Sequence, residues 1–210
     1  MSKRSHVKGD NGPGRNALPT FHNLGTSTPE IVLDEARRIA YETTESDLGT
    51  DTYRISKDCP VTQLVPDDYK LILLQQEEPG SDQSEEINYT VWKDGTEEIQ
   101  KYLEGKFGKV YQTRLTVTPP GGEIQWHIDL NTSVICRVQI GVDIDCFSEF
   151  QFNRRGSVSK LWMLPGQVWF LNTGWRHRVL NNSTKPRVVI ITEVLYDDLK
   201  PHFNDAFSLA

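Results

Sequence analysis

The sequence has no apolar run long enough to cross a bilayer, and its opening, MSKRSHVKGDNGPGRN, lacks the apolar core of a secretory leader. Neither a membrane partner nor export is expected, and a cytoplasmic protein is the resulting expectation. Cysteine is scarce. Cys59, Cys136 and Cys146 stand in no CxxC or zinc-type spacing, which argues against a disulfide scaffold and a cysteine-built metal site. Two of them fall in apolar, strand-like segments, and all three are expected to be reduced thiols of the core. Positive charge is also in deficit: 23 Lys and Arg against 29 Asp and Glu leave a formal net charge of -6. Nonspecific nucleic-acid binding needs a basic face, so no nucleic-acid partner is expected. Nothing in the sequence indicates the oligomeric state.

At 210 residues the chain can bury a core without disulfide support. Residues 1–25 mix Gly, Pro, Asn and Lys without periodicity and read as a flexible tail, holding His6 and His22 but little chemistry. Residues 26–108 read as a helical and mixed region flanking the core. A helix is expected from about Thr28, where STPE supplies a cap and Pro29 the first helical position; a second lies in GTEEIQKYLEGKFG, stopped by glycine. Between them DYKLILLQQ is strand or buried helix, and EEPGSDQSEE an exposed acidic loop. From Lys109 the texture changes to short β-rich runs such as VYQTRLTV, EIQWHID, SVICRVQIGVDI, QVWFLN and PRVVIITEVL, broken at PPGG, NRRG, LPGQ and NNSTKP. That spacing predicts an antiparallel sandwich or barrel over 109–196, followed by a C-terminal extension, 197–210. The fold expected is mainly β with flanking helices.

Within the β-rich half, residues i and i+2 of a strand share a face, so His127 and Asp129 in QWHID project together while Trp126 and Ile128 point away. They can chelate one ion, or form a hydrogen-bonded pair. A second pattern is WRHRVLNNSTKPRVVII. A hairpin folded about Asn182 would set His177 directly opposite Arg187, although basic residues flanking a turn are also common on exposed strands. The aliphatic run after Arg187 favours a buried strand, and a buried arginine needs an anion. Arg137 shares a face with Ile135, Gln139 and Gly141, expected to be the barrel interior; it is either a carboxylate contact or an arginine at the rim.

Two histidines and one carboxylate from separate strands form a triad that leaves coordination positions open on non-haem Fe(II). A 2-oxo acid chelates there through its carboxylate and keto oxygens, leaving a position for O2, and its far carboxylate suits the planar fork of Arg187.

Val110 to Val194, through PPGGEIQWHID, CRVQIGV and MLPGQVWFLNTGWRHRVLNNSTKPRVVII, resembles the double-stranded β-helix (jelly-roll, cupin-like) core of Fe(II)/2-oxoglutarate dioxygenases. It is most similar to the aspartyl/asparaginyl β-hydroxylase and proline hydroxylase-like branch. The resemblance implies His127, Asp129 and His177 as iron ligands, Arg187 as partner of the distal carboxylate of 2-oxoglutarate, and Arg137 as a further carboxylate contact. It implies hydroxylation of an aliphatic carbon in an amino acid or peptide, with 2-oxoglutarate converted to succinate and CO2. One departure stands out. The animal aspartyl/asparaginyl hydroxylases lack the carboxylate ligand that Asp129 would provide, and its presence speaks against a halogenase. Asn131 and Asn172 are candidates to orient the imidazoles, or else turn residues. Trp126, Trp169 and Trp175 either wall a substrate pocket or fill the core. EEPGSDQSEEINYT and FSEFQFNRRGS are candidate lids, and Arg154 and Arg155 a carboxylate contact or a solvated pair. The rival is a cupin-type metal protein without 2-oxoglutarate, which has no need of Arg187.

Overall fold

The computed structural model describes residues 16, 18–25, 27–43, 65–80, 88–129 and 135–203. Cys59, His6, Asn131 and the acidic stretch 81–87 lie outside the described residues. Strands β1 (Phe21–Gly25), β2 (Lys70–Leu73), β5 (Val110–Thr118), β7 (Ile135–Asp143), β10 (Val168–Leu171) and β12 (Arg187–Leu195) form a six-stranded sheet in the order β1-β10-β7-β12-β5-β2. Strands β6 (Glu123–His127), β8 (Ser148–Arg154), β9 (Ser157–Leu161) and β11 (Arg176–Asn181) form a four-stranded sheet in the order β6-β11-β8-β9. A small ribbon pairs β3 (Gln75–Glu77) with β4 (Tyr89–Trp92). From β5 onward the chain passes from one sheet to the other at almost every connection; this alternation is the double-stranded β-helix that the family resemblance implies, a particular form of the antiparallel sandwich or barrel expected from the turn spacing.

Two helices cover the outside of the larger sheet. In α1 (Glu30–Glu42) Val32, Leu33, Ala36 and Ala40 recur at helical spacing, and in α2 (Glu97–Phe107) so do Ile99, Leu103 and Phe107; all are buried. They pack on the outward residues of the sheet, Leu115, Val117, Val138, Ile140, Val188, Ile190 and Val194, in one continuous cluster. Each fully buried Leu or Ile stabilises the layer by roughly 1.5–3 kcal/mol. Gly108, at φ +72°, ends α2 as the glycine stop predicts. The start of α1 differs slightly from expectation. Pro29 is the N-cap residue, not the first helical one, because the Thr28 hydroxyl is held by the Gly166 carbonyl and by Tyr102.

The expected tail 1–25 ends in an ordered edge strand: β1 pairs antiparallel with β10, Phe21 opposite Leu171, and Phe21 packs on Phe152 and Trp169. Two cysteine expectations separate. Cys136 is buried, and burial pushes its thiol up to about 12; Cys146 is exposed, because it falls in the turn after β7 and not in the strand.

Alternation carries the polar residues of the larger sheet inward. Arg137 and Gln139 of β7, Arg187 and Glu193 of β12, and Arg114, Thr116 and Thr118 of β5 all fall between the sheets. Gly141, on the same row, is forced by proximity: a Cβ there would meet the Leu164 carbonyl oxygen at 2.5 Å, where the loop crosses to bond Gly166 N–H to the Gly141 carbonyl at 2.9 Å. Overpacking of that kind costs about 1–3 kcal/mol. Gly141→Ala is therefore expected to lower the unfolding free energy by that amount, read as a lower urea midpoint with an unchanged slope of the transition; an unchanged midpoint would mean that the loop gives way freely.

Candidate metal centre

The smaller sheet brings the two histidines together. His127 ends β6 and lies directly opposite His177 of β11, with the ring centroids 4.2 Å apart. A bulge between His177 and Val179 in this pairing lets both His127 and Ile124 face inward. Asp129 follows two residues after His127, its N–H held by the Thr173 carbonyl at 3.1 Å. Its Oδ1 is 3.4 Å from His127 Nε2, and its Oδ2 is 3.4 Å from His177 Nε2. One donor atom from each of the three lies within 4.8 Å of the others.

The imidazoles are oriented by backbone. His127 Nδ1 is 2.6 Å from the Gln125 carbonyl oxygen, and His177 Nδ1 is 2.9 Å from that of Trp175. A carbonyl only accepts, so each Nδ1 carries the proton and each Nε2 presents a lone pair to the cluster. These carbonyls take the orienting role considered for Asn172, whose amide instead reaches the Pro19 carbonyl, 3.3 Å away. Phe150 stacks on His177, centroids 5.3 Å apart at 16°, fixing the ring plane. Burial and the neighbouring His177 lower the pKa of His127, against the pull of Asp129.

Asp129 makes an ion pair with Arg137. Burial alone would raise its carboxyl, but Arg137 and the two imidazoles outweigh burial and hold it well below the usual carboxylate range. Arg137 in turn grips Glu193, with Nε at 3.0 Å and Nη2 at 2.8 Å from Oε1. Arg114 Nη2 donates to the same oxygen at 3.2 Å. Arg137 thus faces the interior as expected, but carboxylates of the protein itself hold it.

Arg187 is in a different position from the one expected. β11 and β12 do not form a hairpin: β11 pairs with β6 and β8, while β12 pairs with β5 and β7. His177 and Arg187 therefore belong to opposite sheets, because the turn at Asn182–Pro186 is a crossover between them. Arg187 stands opposite Thr118 on β5 and is 3 % exposed. Among the described residues it meets no carboxylate. Its Nη2 donates to Gln139 Oε1 over a long 3.4 Å, and burial pulls its guanidinium down to about 10. The hydroxyl of Thr118 is also buried without a hydrogen-bond partner among the described residues. Tyr69 is close enough to feel Arg114, Arg187 and Arg137, although burial still raises its phenol.

The remaining candidates scatter. Trp126 faces outward, with Arg178 and Arg176 over its ring at 4.9 and 5.8 Å. Trp175 lies in the inner cluster of the smaller sheet and Trp169 packs against it. Arg154 covers Trp175 at 5.2 Å, and Arg155 is exposed at φ +53° in the tight turn joining β8 to β9. The expected lid FSEFQFNRRGS is thus strand β8 and its turn, a fixed part of the sheet. His22 packs against Phe203 with the rings tilted at 45° and is not part of the cluster. Glu193, Arg114, Tyr69 and Thr118 do not stand out in the sequence. A lone acid inside VVIITEVL is a usable signal for Glu193; Tyr69, brought in from a loop, offers none.

A jelly roll with a His-Asp-His cluster that could hold a metal ion defines a cupin-like fold with a candidate metal centre. The sequence profile of the Aspartyl/Asparaginyl beta-hydroxylases matches residues 70–196, more than half of the chain. The chain belongs to this family, and it is an oxygenase of the hydroxylase kind. No curated protein matches it in sequence. Among solved structures, it is similar in fold to a prolyl hydroxylase from Trichoplax adhaerens in complex with a hypoxia inducible factor oxygen degradation domain peptide fragment. The TM-score is 0.55 and the identity 14%, over 87% of this chain and 86% of that one. It is similar also to a viral collagen prolyl hydroxylase from Paramecium Bursaria Chlorella virus-1, with TM-score 0.50 and 11% identity over 84% and 96% of the two chains. At these identities the likeness concerns the fold.

The contrast between Arg137 and Arg187 has a measurable consequence in the ligand-free protein. Arg137→Ala strips a cation from Asp129 and Glu193, and breaking such a buried pair costs roughly 3 kcal/mol or more. Arg187→Met removes a buried charge that no carboxylate among the described residues compensates, so its thermal midpoint is expected to equal or exceed that of the wild type. A fall in the midpoint comparable to that of Arg137→Ala would show that Arg187 has a structural counter-ion.

Proposed function

We propose that the chain is an Fe(II)- and 2-oxoglutarate-dependent dioxygenase that hydroxylates an aliphatic carbon of an amino acid or of an amino-acid residue in a peptide, releasing succinate and CO2. His127, Asp129 and His177 hold the iron, through Nε2 of each imidazole and the Asp129 carboxylate. The donor set suits it: two neutral nitrogens and one carboxylate, with no thiolate among the three, leave positions open for O2 and a bidentate co-substrate. Ferrous iron bound there supplies the activation of O2 coupled to decarboxylation of the 2-oxo acid.

One observation carries the reading: a buried arginine that meets no carboxylate among the described residues stands on the sheet facing the three-ligand cluster. Arg187 receives the distal carboxylate of 2-oxoglutarate, and the Thr118 hydroxyl, on the same face, donates to it. Tyr69 closes that end of the site. A guanidinium deprived of water binds such a carboxylate strongly because its own desolvation is already incurred in folding. Arg137 lies two residues from Gln139 on the same face, so it flanks the co-substrate while held by Asp129 and Glu193. The cupin alternative uses the same three ligands but leaves Arg187 unexplained. Family membership supports an amino-acid side chain as the substrate, and the peptide complex of the Trichoplax enzyme is in keeping with it.

Anaerobic titration of the Fe(II)-loaded protein with 2-oxoglutarate tests this. A visible charge-transfer band should develop in the wild type, vanish in His127→Ala, and require far more co-substrate in Arg187→Met, since losing one partner of a desolvated pair costs ~2 to 5 kcal/mol. An iron-loaded protein that gives no band would favour the cupin reading. Succinate release stimulated by neither free amino acids nor peptides would remove the proposed substrate class.

A further inference from the structure

Glu193 is 1% exposed, on a strand whose other inward residues include Val189 and Ile191. A carboxylate in that place is costly unless fully paired. It is paired to excess: three N–H groups, two from Arg137 and one from Arg114, converge on Oε1 at 2.8 to 3.2 Å. Stability is a weak reason to retain such a cluster, because apolar residues of similar volume commonly serve as well.

The geometry behind Glu193 is also built at a cost. Where β12 pairs with β5, the register shifts between Ile191 and Glu193, and Gln112, on the β5 side, adopts φ +45°. A non-glycine residue in that region is strained. The bulge reverses the inside-outside order of β5, so that Leu115 and Val110 both face the helices while Arg114 points inward. Arg114 Nη1 then ties the bulge together by donating to the Gln112 carbonyl at 2.8 Å and to its side-chain oxygen at 3.2 Å. The Thr113 and Thr192 hydroxyls close it at 2.8 Å.

From these observations we propose that Glu193 is a positioning residue for the metal centre. It acts through Arg137 to fix the orientation of the Asp129 carboxylate. An arginine side chain is long and loses much rotamer freedom when held. Glu193 holds Nε and Nη2 together, which sets the guanidinium plane and aims Nη1 at Asp129 Oδ2. With Oδ2 engaged, the carboxylate cannot rotate freely, and Oδ1 stays toward His127 Nε2. Arg114 and the bulge keep Glu193 itself in place. The bulge, Arg114, Glu193 and Arg137 thus form a rigid brace that ends on one ligand, the tolerance of a metal site being only about 0.5 Å. The proposal rests on the assignment of His127, Asp129 and His177 as ligands.

Anaerobic titration with Co(II) alone, followed by its visible absorption, tests the brace without reference to turnover. Glu193→Gln keeps the size but loses the charge that holds Arg137. Its Co(II) dissociation constant should rise by roughly 10–100-fold, as for other groups that orient metal ligands, and its absorption bands should shift. Thr28→Ala removes a buried hydrogen bond to the Gly166 carbonyl, outside the brace, and serves as the control: its thermal midpoint should fall while its Co(II) affinity and spectrum stay as in the wild type. If Glu193→Gln binds Co(II) with wild-type affinity and spectrum, Glu193 is merely structural and the proposal is overturned, while loss of binding in His127→Ala would leave the assignment of the triad intact. If His127→Ala binds Co(II) as the wild type does, the ligand assignment itself fails, and this inference with it. Should Glu193→Gln not fold, Glu193→Asp retains the charge one methylene short; it is expected to weaken Co(II) binding less than the glutamine, and wild-type affinity would again overturn the proposal.

Discussion

Asp129 remains ionised between the sheets because Arg137 lies against it, and much of the inner polar face depends on that contact. A carboxylate beside two imidazoles in a half-buried site would otherwise take up a proton or turn to solvent, and the cluster would lose its only anionic donor. The cation is itself anchored at 1%-exposed Glu193, and Glu193 at Arg114. Charge alternates along the chain from Arg114 to Asp129, so each burial is offset by the next. Pairs of this kind are worth little at a surface. Their value here is geometric, since each bond fixes the rotamer of a side chain that would otherwise have many.

The jelly roll divides labour between its sheets. The smaller one contributes the histidines and lines its inner face with Phe150, Phe152, Leu161 and Val179, which with Leu171 of the larger sheet form an apolar cluster around the imidazoles. The larger one carries charge inward and apolar residues outward, the reverse of an ordinary half-buried sheet. That inversion is possible only because α1 and α2 cover the outer face. The helices thus serve the site indirectly: by accepting the aliphatic residues of β5, β7 and β12, they free the opposite face for arginine, glutamine and threonine.

How much of this was legible depended on whether the signal was local. HxD needed only the alternation of a strand, and the glycine-stopped helix and the turn-separated β-runs were equally local. The partner strands were not. Reading His177 and Arg187 as hairpin neighbours assumed that strands joined by a short polar turn pair with each other, whereas in a jelly roll the same turn carries the chain to the opposite sheet. Both residues still face inward, so the side was read for the right reason and the adjacency for a wrong one. Cys146 failed similarly, because VDIDC looks like a continuation of a strand that ends at Asp143. Glu193 and Tyr69 could not be given a role, since the partners of Glu193, Arg137 and Arg114, lie on the two neighbouring strands and Tyr69 enters from a loop, none of them at a fixed sequence distance.

The three inward arginines show how a protein separates structure from function with one residue type. Arg114 and Arg137 are satisfied by carboxylates of the chain, and their charges contribute to a fixed frame. Among the described residues Arg187 is given only a glutamine at 3.4 Å and an opposed threonine whose hydroxyl is unpaired, so no carboxylate of that part of the chain meets its charge. A fold selected for stability alone would place an apolar residue or a counter-ion there. The absence of either among the described residues, on a sheet where Glu193 shows that a buried carboxylate can be supplied when needed, supports the role proposed for Arg187 in receiving the distal carboxylate of the co-substrate. The same logic explains why Arg137, however well placed, is the weaker candidate for receiving that anion. Its charge is already shared between Asp129 and Glu193, and an incoming carboxylate would have to compete with both.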